Sequence, residues 1–293
     1  MSHGILYVVA TPIGNLEDIT ARAIRVLGEV DLIAAEDTRH SRGLLSHFNI
    51  SPKGPMFSCH KFNEGKRGDF FVNALLEGKN IALISDAGTP CISDPGHRLV
   101  QLAADAGIQV VAVCGASAVI AALSVSGFDV SNFAFIGFLP RGKMAVKAIA
   151  ETLAHTETVA FYESPRRVTA TLEQVAENLP NAQICLCNDI SKKFERIYRG
   201  TAEQVLAELK ENPAAEKGEY ACIVNMPHTA ENNEDSEEES SEQPSLESQL
   251  VDIMIKSGGT LKDASRKLHE THTTLSKKEI YAAMLRLKNL LLA

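Results

Sequence analysis

The sequence predicts an α/β protein: two successive α/β domains, the first on a parallel sheet and the second on a mixed sheet, followed by a small helical domain. Three observations predict this. Short continuous apolar runs alternate with helical patterns over about the first 120 residues, as expected of parallel strands covered on both faces. A second set of apolar runs follows with fewer helical stretches between them, which suggests mixed pairing. An acidic stretch then sets off the last 48 residues, which hold three helical patterns.

In order, "GILYVVA" (4–10), "DLIAAE" (31–36), "NIALIS" (80–85) and "QVVAVC" (109–114) are the strands of the first domain, residues 1–127. Between them "DITARAIRVLGEV" puts Ile19, Ala23, Ile24 and Leu27 on one face with Asp18 as its cap, and "HRLVQLAADAG" stops at Gly107. The second domain, 128–227, has strands at "FAFIGFL" (133–139), "TVAFYES" (158–164), "QICLCND" (183–189), "RIYRG" (196–200) and "EYACIVNM" (219–226). Residues 228–245 carry seven acidic residues and no Lys or Arg, too polar to bury the surface that would offset their ordering entropy, so they read as a disordered linker. Residues 246–293 form a helix-turn-helix-like module. Leu246, Leu250, Ile253 and Met254 share a face, Thr260 pairs with Asp263 as a cap, and Ser276 with Glu279 as a capping box.

Composition bounds the function. The 293 residues include 45% hydrophobic residues, enough for a sizeable core, and no apolar run approaches the roughly 20 residues that cross a bilayer. The N-terminus enters a strand directly without a signal-like region, so a cytoplasmic protein is expected. The net charge of −8 divides into −7 for the linker, +3 for the C-terminal module and −4 for the rest. The module therefore suits RNA docking or a protein contact, and its charge favours RNA slightly. The six cysteines read as reduced core residues, and no metal site is expected because no C-x-x-C or His cluster accompanies them.

Ligands of open α/β sheets bind at the carboxyl ends of the strands. There the chain places "TPIGN" (11–15), "EDTR" (36–39), "SDAGTP" (85–90) and "CGAS" (114–117), whose Gly88 and Gly115 permit close backbone approach. Neither G-x-G-x-x-G nor G-x-x-x-x-G-K-[ST] occurs, which disfavours a polyphosphate cofactor. Each loop alone is equally a tight turn; their convergence on one sheet edge argues for a ligand. Asp86 either faces that ligand or ties the loop together.

"TPIGNLEDIT", "AAEDTR", "SDAGTPCISDPG", "GFLP", "FYESPRR" and "KGE", in this order, resemble the ribosomal RNA small subunit methyltransferase I family, a branch of the tetrapyrrole methylases. The resemblance spans about Leu6 to Val224. It implies a homodimeric enzyme, with S-adenosylmethionine in a cleft between two α/β domains, that 2'-O-methylates a cytidine in the decoding region of 16S rRNA. It also implies a cofactor pocket of Ile13, Ser85, Asp86, Gly88, Thr89, Ile92, Ala116, Ser117 and Ala118, closed by Tyr162, Glu163, Glu219 and Tyr220. Two stretches depart from the family pattern: "CGASA" stands for P-G-P-S-A, and "NDISK" (188–192) for R-E-L-T-K. Superfamily relatives that methylate tetrapyrroles or diphthamide intermediates carry G-x-G-P-G-like or G-L-G-L first loops. A small-molecule methyltransferase of that superfamily is one alternative, and a non-catalytic RNA-binding ribosome-assembly factor is the other.

The chemistry asks for alignment of a hydroxyl and removal of its proton. Candidate bases are Glu36, Asp37, Glu163, and Lys192 if burial lowers its pKa. Arg39 either pairs with Asp37 or meets a phosphate, and Asp37 itself either acts or merely caps. Basic loops supply candidate RNA contacts at His60, Lys61, Arg141, Arg166 and Arg167.

Overall fold

Continuous apolar strands need cover on both faces, and the computed structural model, which describes residues 3–61, 64–226, 246–257, 260–271 and 277–291, provides it. The first sheet joins β1 (Ile5–Val9), β2 (Leu32–Ala35), β3 (Met56–Ser58), β4 (Ile81–Ile84) and β5 (Gln109–Val113) in the order β3-β2-β4-β1-β5, all parallel. Side chains alternate across it. Leu32, Ala34, Ile81 and Leu83 pack with Phe71 and Leu75 of α3 (Glu64–Leu76) and Leu99 of α4 (His97–Asp105). Ile33, Ala35, Ala82 and Ile84 meet Val26 and Leu27 of α1 (Ala21–Glu29) and Leu45 of α2 (Thr38–His47) on the other face. Burying one such Leu or Phe contributes about 1.5–3 kcal/mol, so both faces anchor the sheet.

Two local details differ from the sequence reading. The cap of α1 is Thr20, whose hydroxyl accepts the Ala23 N–H at 3.1 Å; Asp18 ends a separate 3-10 turn, because Ile19 takes an extended conformation that interrupts the helix. Strand β3 was not anticipated, being three half-buried residues directly after the turn-forming "SPKGP". Gly107 does end the α4 segment, at φ +70°.

The second sheet orders β6 (Phe133–Phe138), β7 (Thr158–Glu163), β8 (Gln183–Asn188), β9 (Arg196–Thr201) and β10 (Tyr220–Asn225) as β6-β7-β10-β8-β9. Only β6 and β7 pair in parallel, so the sheet is mixed. One face packs on α6 (Met144–Leu153), α7 (Val168–Asn178) and α8 (Ala202–Glu211). The opposite face buries Ala160, Cys185, Cys187, Ala221 and Ile223 against Val119, Ala122 and Leu123 of α5 (Ala118–Ser126). Helix α5 thus packs on the second sheet, although the boundary read from the sequence lies after it.

In a separate unit, α9 (Leu246–Ser257), α10 (Leu261–Thr271) and α11 (Lys277–Leu291) bury Leu250, Ala264, Leu268, Ile280, Ala283 and Leu287 in one small core. Thr260 and Asp263 cap α10 reciprocally, the Asp263 N–H donating to Thr260 Oγ1 and the Thr260 N–H to Asp263 Oδ2. Ser276 of the expected Ser276–Glu279 box and the acidic linker lie outside the described residues. Cys59, Cys185, Cys187 and Cys222 are buried thiols and the half-buried Cys91 packs against the first-domain core, whereas Cys114 is exposed and is not a core residue. Among the described residues no helix is long and apolar enough to cross a membrane, and no cluster of three His, Cys, Asp or Glu is placed to hold a metal ion.

Candidate active site

The loops leaving β1, β4 and β5 are stitched to one another. Thr11 and Gly88 exchange backbone hydrogen bonds at 2.9 and 3.0 Å, the Thr11 hydroxyl donates to the Ser85 carbonyl, and the Thr89 hydroxyl donates to the Ala116 carbonyl at 3.1 Å. Gly88 sits at φ +77°, where a Cβ would also press on Ile13 Cγ2 at 3.2 Å, so the turn favours glycine. Asp86 ties this edge to β2. Its Oδ1 accepts the Asp37 N–H at 3.1 Å, while its own N–H donates to Glu36 Oε2 at 3.2 Å.

The second domain supplies the facing wall. The Tyr162 hydroxyl, at the end of β7, accepts the Val119 N–H at 3.1 Å, and burial raises its pKa. Ser117, at the N-cap of α5, makes no capping bond of its own, so this tyrosine serves a helix end that would otherwise keep an orphan donor. Glu163 is 2% exposed and fully engaged. Its Oε1 accepts the Ser164 N–H at 2.7 Å and pairs with Arg167 at 2.6 Å, and its Oε2 accepts the Thr171 hydroxyl at 2.9 Å.

The β8–β9 loop reaches back to the first domain. Ser191 donates to Asp18, the stem of Lys192 runs over Gly14, and the Lys192 ammonium bridges Asp189 at 2.9 Å and Glu219 at 2.8 Å. Burial works to lower the pKa of Lys192, but the bonds to Glu219 and Asp189 outweigh it and the net shift is upward. The condition on which Lys192 is a candidate base, a pKa lowered by burial, is therefore not met. Four non-glycine residues at the site, Cys91, Ser93, Asp189 and Ser191, hold left-handed backbone at φ of 72°, 66°, 50° and 67°. Strained backbone of this kind collects at binding sites, where surrounding contacts over-determine it.

Between the two walls lies a cavity of about 300 Å³. Ile13, Gly88, Thr89, Ile92, Ser117 and Ala118 line it from one side, and Tyr162, Glu163, Lys192, Glu219 and Tyr220 from the other; Phe138 and Ile190 add apolar surface. Asp94, in the "SDPG" turn after β4, also lines it. Burial first, then the charges of Glu36, Asp86 and Glu219, push its carboxyl up to about 6 against a hydrogen bond from the Ser85 side chain.

The profile of the Tetrapyrrole (Corrin/Porphyrin) Methylases matches residues 5–206. A protein of Halalkalibacterium halodurans named ribosomal RNA small subunit methyltransferase I is 47% identical over 75% of this chain and 75% of its own length. One of the same name from Synechocystis is 42% identical over 97% and 99%. The chain belongs to the ribosomal RNA small subunit methyltransferase I family. Among solved structures, a diphthine synthase covers 76% of this chain and 90% of its own with a TM-score of 0.57 at 12% identity. A uroporphyrin-III C-methyltransferase from Thermus thermophilus, complexed with S-adenosylhomocysteine, covers 76% and 97% at 0.52 and 18%. At such identities these two share the fold.

Of the residues that the family resemblance implies for the cofactor, Ser85, Asp86 and Ala116 stand behind the cavity wall and support it through the bonds above; the others line it. The four candidate bases are not gathered. Glu36 and Asp37 lie off the wall, and Arg39 holds Asp37 at 2.6 Å, keeping its carboxyl well below the usual range while its N–H caps onto Asp37 Oδ1. Lys61, Arg141 and Arg166 are exposed and His60 half-buried, none of them a lining residue, and Arg167 turns inward to Glu163 and the Leu139 carbonyl. Asp94 was missed as a site residue; its signal was a second turn-forming motif at the same strand end.

Proposed function

We propose that the chain transfers a methyl group from S-adenosylmethionine to the 2'-hydroxyl of a cytidine in the decoding region of 16S rRNA, as a cytoplasmic homodimer with two α/β domains at 1–127 and 128–227, the acidic linker at 228–245 and the helical module at 246–293. The supporting observation is the cavity at the strand ends, in a member of a family whose relatives are named ribosomal RNA small subunit methyltransferase I. The wall suits a sulfonium compound. Asp94 lines it with Glu36 and Asp86 behind, a concentration of negative charge that a cation relieves. Thr89, Ile92, Ser117, Ala118 and Tyr220 would hold the cofactor, with Gly88 allowing close backbone approach.

When bound, S-adenosylmethionine supplies an electrophilic methyl group already activated by positive sulfur. The chain's own part is positioning, exclusion of water by Phe138, Ile92 and Ile190, and acceptance of a proton. Lys192 ties Asp189 to Glu219 on the second-domain side and so fixes that wall of the cavity.

Transfer of labelled methyl to small ribosomal subunits and to free 16S rRNA, followed by mapping of the modified nucleotide, tests the reading. The expected product is one 2'-O-methylcytidine in the decoding region. Label on a base, or none on either RNA, contradicts it. Arg166→Ala should weaken RNA binding and lower its salt slope by about one.

A further inference from the structure

We propose that the Asp94 carboxylate accepts the proton of the hydroxyl that is methylated, an inference that rests on the methyltransferase reading above. Among the described residues three carboxylates line the cavity: Asp94, Glu163 and Glu219. Both oxygens of Glu163 are occupied, by Ser164, Arg167 and Thr171, inside a wall where it is 2% exposed. Glu219 holds the Lys192 ammonium at 2.8 Å and is 77% exposed, so its charge is neutralised and wet. Asp94 differs from both. It is half-buried, the small Ser85 side chain lowers its pKa, and carboxylate charges raise it: Glu36 beyond β2, Asp86 beyond β4 and, least of the three, the Lys192-paired Glu219 before β10.

The other titratable groups on the wall are Tyr162 and Tyr220, both raised by burial, and Lys192, held by Asp189 and Glu219. None of the three is a base near neutral pH. A carboxylate pushed to about 6 is ionised at pH 7 yet far more basic than an ordinary aspartate, which is the condition for useful proton transfer. The step balances. The hydroxyl O–H bond breaks with its proton passing to Asp94 Oδ, the oxygen forms the new O–CH3 bond, and the S–CH3 bond of the donor breaks with its electron pair kept on sulfur, leaving a neutral thioether.

The test uses the full chain and small ribosomal subunits. Asp94→Asn should bind S-adenosylmethionine within about tenfold of wild type and lose about 100-fold or more in single-turnover methyl transfer, the range of a missing general base. The wild-type rate should fall as pH drops through about 6, and the residual Asp94→Asn rate should lose that limb. Asp94→Glu should recover part of the rate.

A readout independent of turnover is calorimetry near pH 6 in two buffers of different ionisation heat. Wild type should release a fraction of a proton on binding S-adenosylmethionine and less on binding S-adenosylhomocysteine, because only the former is a sulfonium; Asp94→Asn should release none. Wild-type turnover in Asp94→Asn, a residual rate that keeps the limb, or equal proton release with the two ligands overturns the proposal while leaving the methyltransferase reading intact. Should Asp94→Asn not fold, the wild-type calorimetry and the Asp94→Glu profile decide. Absence of cofactor binding and methyl transfer in wild type overturns both, and is read before any variant.

Discussion

The methylene stem of Lys192 lies directly on the backbone of Gly14, so close that a Cβ at position 14 would overlap Lys192 Cγ. The contact joins the β8–β9 loop to the first loop of the other domain, across the cavity mouth. Glycine is needed there for space rather than for backbone freedom, and the lysine it admits reaches Asp189 and Glu219 together.

Gly14→Ala should therefore dislodge Lys192 without unfolding anything. The site is peripheral to both cores, so stability should change by less than about 1 kcal/mol. Methyl transfer to small subunits should drop about tenfold or more as Asp189 and Glu219 lose their cation. Melting curves beside turnover check this; an unfolded variant, or one of full activity, contradicts it.

Tyr162→Phe removes the acceptor of the Val119 N–H and leaves the first turn of α5 one partner short. A buried donor left unsatisfied costs about 1–3 kcal/mol. Denaturant titration should record a loss in that range, and cofactor affinity should fall with it, since Ser117 and Ala118 at the same helix end line the cavity. Unchanged stability would mean that water replaces the tyrosine at no cost.

Much of this arrangement was legible in the sequence, and the parts that were not share a physical cause. Apolar runs such as "IALI" announced strands covered on both faces, and the strand-end loops announced a site because polar and glycine-rich turns recurred on one edge. Helix α5 was ambiguous because "AVIAALSVS" is apolar on every side, so its periodicity names no partner; only packing of Ala122 and Leu123 on Ala160 and Ala221 assigns its sheet. The Thr20 cap was hidden behind an equally plausible Asp18 two residues earlier. The direction of the Lys192 shift depends on Glu219, 27 residues away, which no local pattern reveals. Asp94 is of the same kind: its neighbours Glu36, Asp86 and Glu219 come from three different strand ends.

Glu163 separates a structural from a chemical role. Glu163→Ala leaves Arg167 without its carboxylate and the Ser164 N–H and Thr171 hydroxyl without an acceptor. Breaking a buried pair from one side costs about 3–5 kcal/mol, and the 30% exposure of the Arg167 side chain puts the expected loss near the lower end. Glu163→Gln should keep the Thr171 bond and lose less. Equilibrium unfolding of both variants checks the order; a Glu163→Ala protein of wild-type stability with abolished turnover would return Glu163 to the candidate bases.

Asp94 also leaves a mark on folding. Its folded-state pKa of about 6 lies above the ordinary carboxylate value of 3.8, so between these pH values the native state binds a proton that the unfolded chain has lost. Stability contributed by protonated Asp94 is full below about pH 4 and disappears as pH rises through about 6. At pH 7 and above the ionised carboxylate thus weakens the fold, and Asp94→Asn should be more stable than wild type there, by about 1 kcal/mol once solvent screening of a half-buried group is discounted. The gain should shrink as pH falls and vanish near pH 4, where both side chains are neutral. Urea unfolding of the two proteins at pH 4.5, 6 and 7.5 measures it. A gain that grows toward acid pH would show that Asp94 is held by a positive partner, and would remove it as proton acceptor as well.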